Sequence, residues 1–267
     1  MNVMVHGDHI ARLWVDGVIY DDVARDELIA ELAQDDSVKA VLLRINSPGG
    51  TVVGGEALYR NLRKLSEQKP VVAVMGEVAA SAGYMTAIAA DHIVAREGTI
   101  TGSIGVLMQT ANVTGLMDKI GVKPIVIKSA PLKATPNPME EMTPEMREAT
   151  QNVIMDMYDM FVAMVSERRG LAMEETLKLA DGRIFTGRQA KDVGLIDETG
   201  GEDSALAWLK AEKNISDDLD IIDTSYSDEG FWEQAQSSMI KSFFDKTLIS
   251  KGLSLDGLLS VWHPNFQ

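Results

Sequence analysis

The sequence contains no cysteine, and histidine is almost as scarce. The absence of cysteine excludes a disulfide-stapled fold, a cysteine nucleophile, and zinc or iron–sulfur sites built on thiolates. The only candidates for a histidine base are His6, His9, His92 and His263. The rest of the composition is ordinary for a globular protein, with 45% hydrophobic and 24% charged residues over 267 positions.

Long apolar runs and excess positive charge are lacking as well. Apolar runs such as Val71–Met75 fall far short of the roughly 20 residues that span a bilayer, and the first residues do not read as a signal peptide. The net charge of −15 repels phosphate backbones, so nucleic acid is not an expected partner. We expect a cytoplasmic protein, or a membrane-associated one with a periplasmic catalytic domain if an N-terminal anchor has been removed.

The first half of the chain alternates strand-like and helix-like segments, and Asn46–Gly50 (NSPGG) is typical of a turn. Strands are predicted at His9–Ile19, Val38–Ile45, Pro70–Met75, His92–Ala95, near Ile104–Met108 and at Pro124–Ile127, and helices at Asp26–Gln34, Gly55–Glu67, Ala79–Ala90 and Leu116–Ile120. This order predicts an α/β fold with a largely parallel sheet and crossover helices.

The second half is more helical and ends in a tail of different composition. Thr143-Pro144 predicts the start of a long helix that ends near Arg169, within a helical segment over 140–180. Residues 183–201 suggest a strand, a helix and a second strand. We assign residues 1–201 to one domain and 202–267 to an acidic linker and an amphipathic tail, because Phe231–Trp262 carries apolar residues at helical spacing.

The segment Gly76–Tyr84 (GEVAASAGY) is the most informative for chemistry. It follows a buried strand and opens an alanine-rich helix, so Ser81 falls at a strand-to-helix junction. Free N–H groups and the dipole at a helix N-terminus favour developing negative charge there. Ser81 is therefore a candidate nucleophile, although a simple N-cap serine among packing alanines would give the same pattern.

A serine nucleophile needs a base, and the histidines are poorly placed to supply one. His92 lies eleven residues beyond Ser81, which is about 16 Å along a continuous helix and out of hydrogen-bond reach. The other three lie near the two ends of the chain. A lysine that burial keeps neutral near pH 7 is the remaining kind of base.

Four motifs in order resemble the signal peptide peptidase A family of serine–lysine peptidases. They are NSPGG after a strand, AASAGY, TGSIGV and a lysine-bearing loop, and the resemblance runs from about Ile10 to Gly201. It implies the α/β fold shared by the Clp peptidases and crotonases, with repeated ββα units, a largely parallel sheet, a helical extension and a C-terminal tail.

The resemblance also implies roles for individual residues. Ser81 matches the nucleophile, Lys133 in the Ser129–Lys133 loop (SAPLK) matches the general base, and Ser103 matches the serine that hydrogen-bonds the lysine amine. Ala130 replaces the glycine usual in that loop. Lys128 is the rival base, but it lies outside the motif position.

Backbone groups complete the site that the resemblance implies. The oxyanion donors would be the N–H of Gly49 or Gly50 and the N–H of Ser81, and no metal or cofactor is required. An extended substrate would bind along Pro48–Thr51, and so at Pro48 and Thr51, and along the strand near Gly105, adding a strand to a sheet edge.

The resemblance implies a serine endopeptidase that cleaves hydrophobic peptides such as remnant signal peptides. Half-size members assemble into rings, so we expect a homo-oligomer of eight copies. Three alternatives remain open: a phage-type capsid maturation protease of the same family, a non-catalytic scaffold, and a crotonase-like acyl-CoA enzyme. The last would use carboxylates such as Glu56 or Glu77.

Overall fold

A computed structural model describes residues 7–216, 218–224 and 258–261. The strands are β1 (His9–Ile19), β2 (Val38–Thr51), β3 (Val71–Ala80), β4 (His92–Ala95), β5 (Ile100–Gly102), β6 (Leu107–Met108), β7 (Ile184–Thr186), β8 (Glu198–Thr199), β9 (Asp220–Thr224) and β10 (Leu258–Val261). The helices are α1 (Val23–Gln34), α2 (Val52–Ser66), α3 (Ala82–Ala87), α4 (Thr114–Ile120), α5 (Pro144–Arg169), α6 (Met173–Leu179), α7 (Gly187–Asp192) and α8 (Glu202–Lys213).

All described strands belong to one sheet whose centre is parallel. The order β9-β1-β2-β3-β4-β8 is parallel throughout, and β5 pairs in parallel with the last three residues of β3. Only the pairings of β10 with β2 and β6, and of β7 with β5, are antiparallel among the described residues. The predicted α/β class with a largely parallel sheet is confirmed.

The sheet is covered on both faces, because successive residues of a strand point to opposite sides. Val41, Leu43 and Ile45 of β2 belong to the larger core, which also receives α2, α3 and the C-terminal half of α5. Ala40 and Leu42 belong to the smaller core, which α8 closes with two buried side chains. The packed domain therefore extends beyond the predicted boundary at residue 201. The helix α8 packs on one face of the sheet, and β9 pairs with β1 at its edge.

Several predicted elements differ from the observed ones. The NSPGG segment is not a turn: β2 continues through it to Thr51, because Gly49 and Gly50 pair with β1. The predicted helix from Ala79 begins only at Ala82, since β3 runs to Ala80. The predicted strand Pro124–Ile127 forms no regular element, and Ile125 and Ile127 are 90% and 95% exposed.

Residues 105–160, which we call the arm, stand apart from this core. The arm contains β6, α4 and the N-terminal part of α5, and none of its residues, all of which the structure describes, is buried. The predicted start of the long helix is confirmed. Thr143 caps α5 by accepting from the N–H of Met146, and Pro144 is its first residue.

The tail predicted as amphipathic helix lies mostly outside the described residues. Leu258–Val261 are described, and they form a strand rather than a helical turn. Of the helices in the described ranges, none combines the length and the apolar character that a bilayer crossing requires.

Candidate active site

Ser81 lies at the junction between β3 and α3 with an unusual backbone. Its φ is 58° and its ψ is −120°, and the residue is only 1% exposed. A non-glycine residue held in such a region costs on the order of 1–3 kcal/mol, and such residues cluster at functional sites. The buried strand before it and the helix after it hold this conformation in place.

A positive φ also occurs at the second predicted catalytic serine, and at the residue next to the predicted base. Among the described residues, four non-glycine residues have positive φ: Ser81, Ser103, Ala134 and Asn214. Asn214 ends α8 in the left-handed conformation usual for that position. The other three are two predicted site serines and the residue that follows Lys133.

The register of β3 and β5 places Ser81 and Ser103 on neighbouring strand ends. Ala80 pairs with Gly102, and parallel neighbours lie about 4.8 Å apart. The N–H of Ser81 donates to the carbonyl of Gly102 at 2.8 Å, and the N–H of Ser103 donates to the carbonyl of Arg183 at 2.8 Å. Two motifs distant in sequence thus meet at one edge of the sheet.

The NSPGG segment flanks Ser81 on the opposite side. Ser47 pairs with Ala79, and a Cβ on Gly83 would lie 2.8 Å from the carbonyl oxygen of Ser47. Only a glycine at position 83 lets the start of α3 approach β2 this closely. Three of the four sequence motifs therefore surround one serine.

The backbone N–H groups predicted to bind the oxyanion have different surroundings. The Ser81 N–H donates to the carbonyl of Gly102 on β5 at 2.8 Å, and its role as an oxyanion donor stays a prediction. The Gly49 N–H donates to Ser47 Oγ at 3.1 Å within the chain. Gly50 lies between Ile19 of β1 and Ser260 of β10.

Of the residues predicted to bind substrate, Pro48 and Thr51 lie on the last part of β2, and Gly105 lies at the start of the arm. Thr51 Oγ1 accepts from the N–H of Gly54 at 3.0 Å and so caps α2. The backbone of Thr51 pairs with Leu259 of β10.

The two candidate lysines have different environments, although both lie on the arm. Lys128 Nζ is ion-paired with Glu140 at 2.5 Å, and this bond lowers the pKa of the Glu140 carboxyl. The Lys128 amine is thus engaged with a carboxylate of the arm. Lys133 is exposed in a turn closed by a hydrogen bond from its own N–H to the carbonyl of Ala130. Among residues 7–216, 218–224 and 258–261, no hydrogen bond or ion pair joins its amine to Ser81.

Two residues inside the quoted motifs have positioning roles that the sequence did not reveal. Tyr84 is fully buried, and its hydroxyl donates to the carbonyl of Leu195 at 2.8 Å, which anchors α3. Burial raises the pKa of Tyr84, so the hydroxyl stays neutral. Asn46 Oδ1 accepts from the N–H groups of Glu77 and Val78, and so joins β2 to β3 where their register shifts. The position of Asn46, a polar residue directly after a buried strand, could have indicated this role from the sequence.

The carboxylates of the acyl-CoA alternative do not converge on Ser81. Glu56 is ion-paired with Arg60 at 2.7 Å one turn along α2, and Glu77 is exposed on β3. Within the described part of the chain, no group of three or more acidic or histidine side chains could hold a metal ion.

Comparison with known proteins agrees with the motifs. A protein of Methanocaldococcus jannaschii with a provisional protease name is 40% identical over 225 residues, covering 79% of this chain and 72% of that protein. An Enterococcus faecium protein with the provisional name signal peptide peptidase SppA is 35% identical over 222 residues, covering 78% of this chain and 64% of that protein. Among solved structures, a ClpP1 mutant from Listeria monocytogenes gives a TM-score of 0.49 at 18% identity, covering 73% of this chain and 93% of that one.

The profile of peptidase family S49 matches residues 63–216, which include β3, the Ser81 junction, β5 and the arm. The resemblance to the signal peptide peptidase A family is thereby confirmed. This chain belongs to peptidase family S49.

Proposed function

We propose that this chain is a serine endopeptidase in which Ser81 is the nucleophile and Lys133 the general base. The observation that carries the proposal is the backbone of Ser81, buried at a strand-to-helix junction with a φ of 58°. The Ser81 side chain makes no capping hydrogen bond to α3, so helix capping does not explain why a serine rather than a glycine occupies this conformation. A nucleophile whose hydroxyl must face a substrate does explain it.

The proposed reaction follows from these two groups. Neutral Lys133 accepts the Ser81 hydroxyl proton while Oγ bonds to the peptide carbonyl carbon, and the carbonyl oxygen becomes an oxyanion. The lysine ammonium then gives its proton to the leaving amine as the C–N bond breaks, which leaves an acyl-enzyme. Water, deprotonated by the same lysine, releases the acid and restores Ser81.

The oxyanion needs backbone donors besides the N–H of Ser81. We assign this role to the N–H of Gly50 and to that of Ala82, the first residue of α3. No carbonyl of the helix itself can accept from the N–H of its first residue. Both groups flank Ser81, one on the NSPGG segment and one on the AASAGY segment.

The exposure of Lys133 gives a reason for the proposed assembly. A lysine acts as a neutral base only where burial disfavours its charge, and in the single chain Lys133 is exposed on an arm without buried residues. We propose that assembly of eight copies covers the arm and supplies the missing low-dielectric surroundings. The exposed apolar side chains of the arm, including Leu116, Ile125 and Ile127, would become buried in that contact.

The proposed substrates are hydrophobic peptides in extended conformation, such as remnants of signal peptides. The chain neighbours of Ser81 are apolar and mostly small, namely Ala80, Ala82, Gly83 and Met85, and all are buried. Such walls accept small or apolar residues beside the cleaved bond. The name of the Enterococcus faecium relative points to the same substrate class.

The proposal is tested by hydrolysis of a hydrophobic fluorogenic peptide and of unfolded casein. We expect Ser81→Ala and Lys133→Ala each to lower kcat by roughly 10⁴-fold or more with the fold retained, because each removes a group that acts only in the reaction. Lys128→Ala is the matched control, since it changes a lysine of the same arm that is already ion-paired. Full activity in Lys133→Ala would reject the dyad, and inactivity of the wild-type protein on both substrates would favour a scaffold.

A further inference from the structure

The loop of residues 180–183 lies beside Ser103. It leads into β7, whose first residue, Ile184, pairs antiparallel with Gly102 of β5. One step further along the same pair of strands, the N–H of Ser103 donates to the carbonyl of Arg183 at 2.8 Å. The position of Ser103 therefore depends on where the loop holds the Arg183 carbonyl.

The backbone of Ser103 has a conformation that needs such a hold. Its φ is 50°, and Gly102 before it has a φ of 79°, so the chain turns sharply where β5 ends. A residue other than glycine keeps a positive φ only where its surroundings fix it. Because the side chain is carried by this backbone, the direction of the Ser103 hydroxyl follows from the hydrogen bond to Arg183.

Asp181 closes the loop from within. Its Oδ1 accepts from the backbone N–H of Arg183 at 3.1 Å and from Nε of the same residue at 2.8 Å. Its Oδ2 accepts from Nε at 2.9 Å and from Nη2. These bonds lower the pKa of Asp181 to about 2, so the carboxylate is charged near neutral pH. Arg183 is thus held by Asp181 at its N–H and side chain, while its carbonyl holds Ser103.

The start of the loop is anchored separately. Ala180 is buried, and its carbonyl accepts from the hydroxyl of Tyr158 on α5 at 2.9 Å. Asp181 therefore extends from a fixed point and has to span only two residues. Its pair with Arg183 is exposed, and exposed ion pairs contribute little to the free energy of unfolding. The effect of the pair is local, on the geometry of the loop.

We infer that Asp181 is a positioning residue that acts on the reaction through Arg183 and Ser103. This inference rests on the proposed peptidase function, in which Ser103 hydrogen-bonds the amine of Lys133. Without the Asp181 carboxylate the loop loses its internal hydrogen bonds, and the Ser103 hydroxyl is no longer held in one direction. Lys133 is then less well oriented but still present, so the loss falls on kcat and is smaller than the loss on removing Ser81 or Lys133.

The test compares Asp181→Ala, Asp181→Asn and a control variant, each in the full chain. Asparagine keeps an oxygen that accepts from the N–H of Arg183, whereas alanine removes every acceptor. Glu174→Ala is the matched control, because it removes an exposed carboxylate that is paired with Lys178 on α6. We expect Asp181→Ala to lower kcat about tenfold and to change KM less than about twofold. Asp181→Asn should keep at least about half of the wild-type kcat, and Glu174→Ala all of it.

A double-mutant cycle separates positioning from a general structural effect. If Asp181 acts through Ser103, Asp181→Ala should lower kcat no further in a chain that already carries Ser103→Ala. A further loss of about tenfold in that background would overturn the inference. An unchanged kcat in Asp181→Ala, beside an impaired Ser103→Ala, would overturn it as well.

Amide hydrogen exchange tests the structural step without any peptidase activity. We expect the N–H of Ser103 to exchange about tenfold faster in Asp181→Ala than in the wild type or in Glu174→Ala. Unchanged exchange at Ser103 would reject the inference even if the enzyme is active. Faster exchange without hydrolysis by any Ser81-containing protein would reject the proposed function and leave the hold of Asp181 on Ser103 supported.

Discussion

The sheet around Ser81 and the arm that carries Lys133 differ in how far their residues are buried and paired. The sheet residues beside Ser81 are buried on both faces and joined by pairing in register, whereas the arm has no buried residue and pairs with the sheet only through β6. The proposed nucleophile is thus held in place by the fold of one chain, whereas the proposed base is not. In the proposed assembly, the chain would fold completely before Ser81 and Lys133 come together.

The largest expected effect compares two positions on one helix. Phe161 of α5 is 0% exposed in the core, and Val153, two turns earlier in the arm, is 47% exposed. We expect Phe161→Ala to lower the free energy of unfolding by about 3–5 kcal/mol, because it leaves a cavity. Val153→Ala should change it by less than about 0.5 kcal/mol. Urea denaturation of both variants measures the difference, and equal losses would mean that the arm is packed in solution.

The next prediction concerns the close approach of β1 and β2 beside the site. A Cβ on Gly50 would lie 1.8 Å from the carbonyl oxygen of Ile19, a backbone atom that cannot move aside alone. We expect Gly50→Ala to cost about 3 kcal/mol. Gly98→Ala is the matched control, because a Cβ there meets nothing within 4 Å. Thermal unfolding monitored by circular dichroism gives both values, and a stable Gly50→Ala protein would contradict the pairing of Ile19 with Gly50.

A third prediction concerns the ion pair that fastens the end of α5 to the core. Arg169 donates to both oxygens of Asp197, at 2.6 and 3.1 Å, and both side chains are largely buried. Burial alone would raise the pKa of Asp197, but the hydrogen bonds and charge of Arg169 outweigh it and lower the pKa below the usual range of an aspartate. Arg169→Met should cost about 3 kcal/mol at pH 7.

The pH dependence of that cost has a definite sign. A carboxyl with a lowered folded-state pKa contributes stability above its unfolded pKa and loses it as the pH falls through the folded pKa. The difference between the wild type and Arg169→Met should be constant from pH 7 to about pH 5 and shrink below about pH 4. Lys178→Met, which removes an exposed pair with Glu174, should cost less than about 0.5 kcal/mol at any of these pH values. A cost that does not vary with pH would show that Asp197 is not the partner.

The smallest expected effect separates stability from activity at Ser81, the proposed nucleophile. Ser81→Gly and Ser81→Ala both remove the hydroxyl, but only glycine adopts a φ of 58° without strain. We expect the glycine variant to be more stable than the alanine variant by about 1 kcal/mol, with both inactive. Equal stability would indicate that the backbone at this position is not strained.

The sequence predicted the elements that local chemistry specifies. β1 was predicted with its observed bounds from alternation alone, and the start of α5 from Thr143 and Pro144. The NSPGG turn was wrong, because pairing with β1 keeps a proline-glycine segment extended. The strand Pro124–Ile127 was wrong within the described residues, since a strand-like pattern without a neighbouring strand forms no strand.

The sequence motifs predicted which residues lie near one another at the site, but not every backbone contact there. Ser81, Ser103 and the NSPGG segment were identified from motifs, and the register of β2, β3 and β5 brings them together. The direction of single N–H groups depends on tertiary pairing, so the bond from the Ser81 N–H to the carbonyl of Gly102 could not be predicted. The place of β10 could not be predicted, because Leu258–Val261 pair with residues about 150 to 210 positions away.

The place of β10 between the end of β2 and β6 has a consequence for solubility. Without β10, β2 and β6 would present unpaired N–H and C=O groups, and such edges capture strands from other chains. Because β10 belongs to the same chain as both neighbours, its pairing does not depend on protein concentration. Dilution should therefore leave these two edges covered.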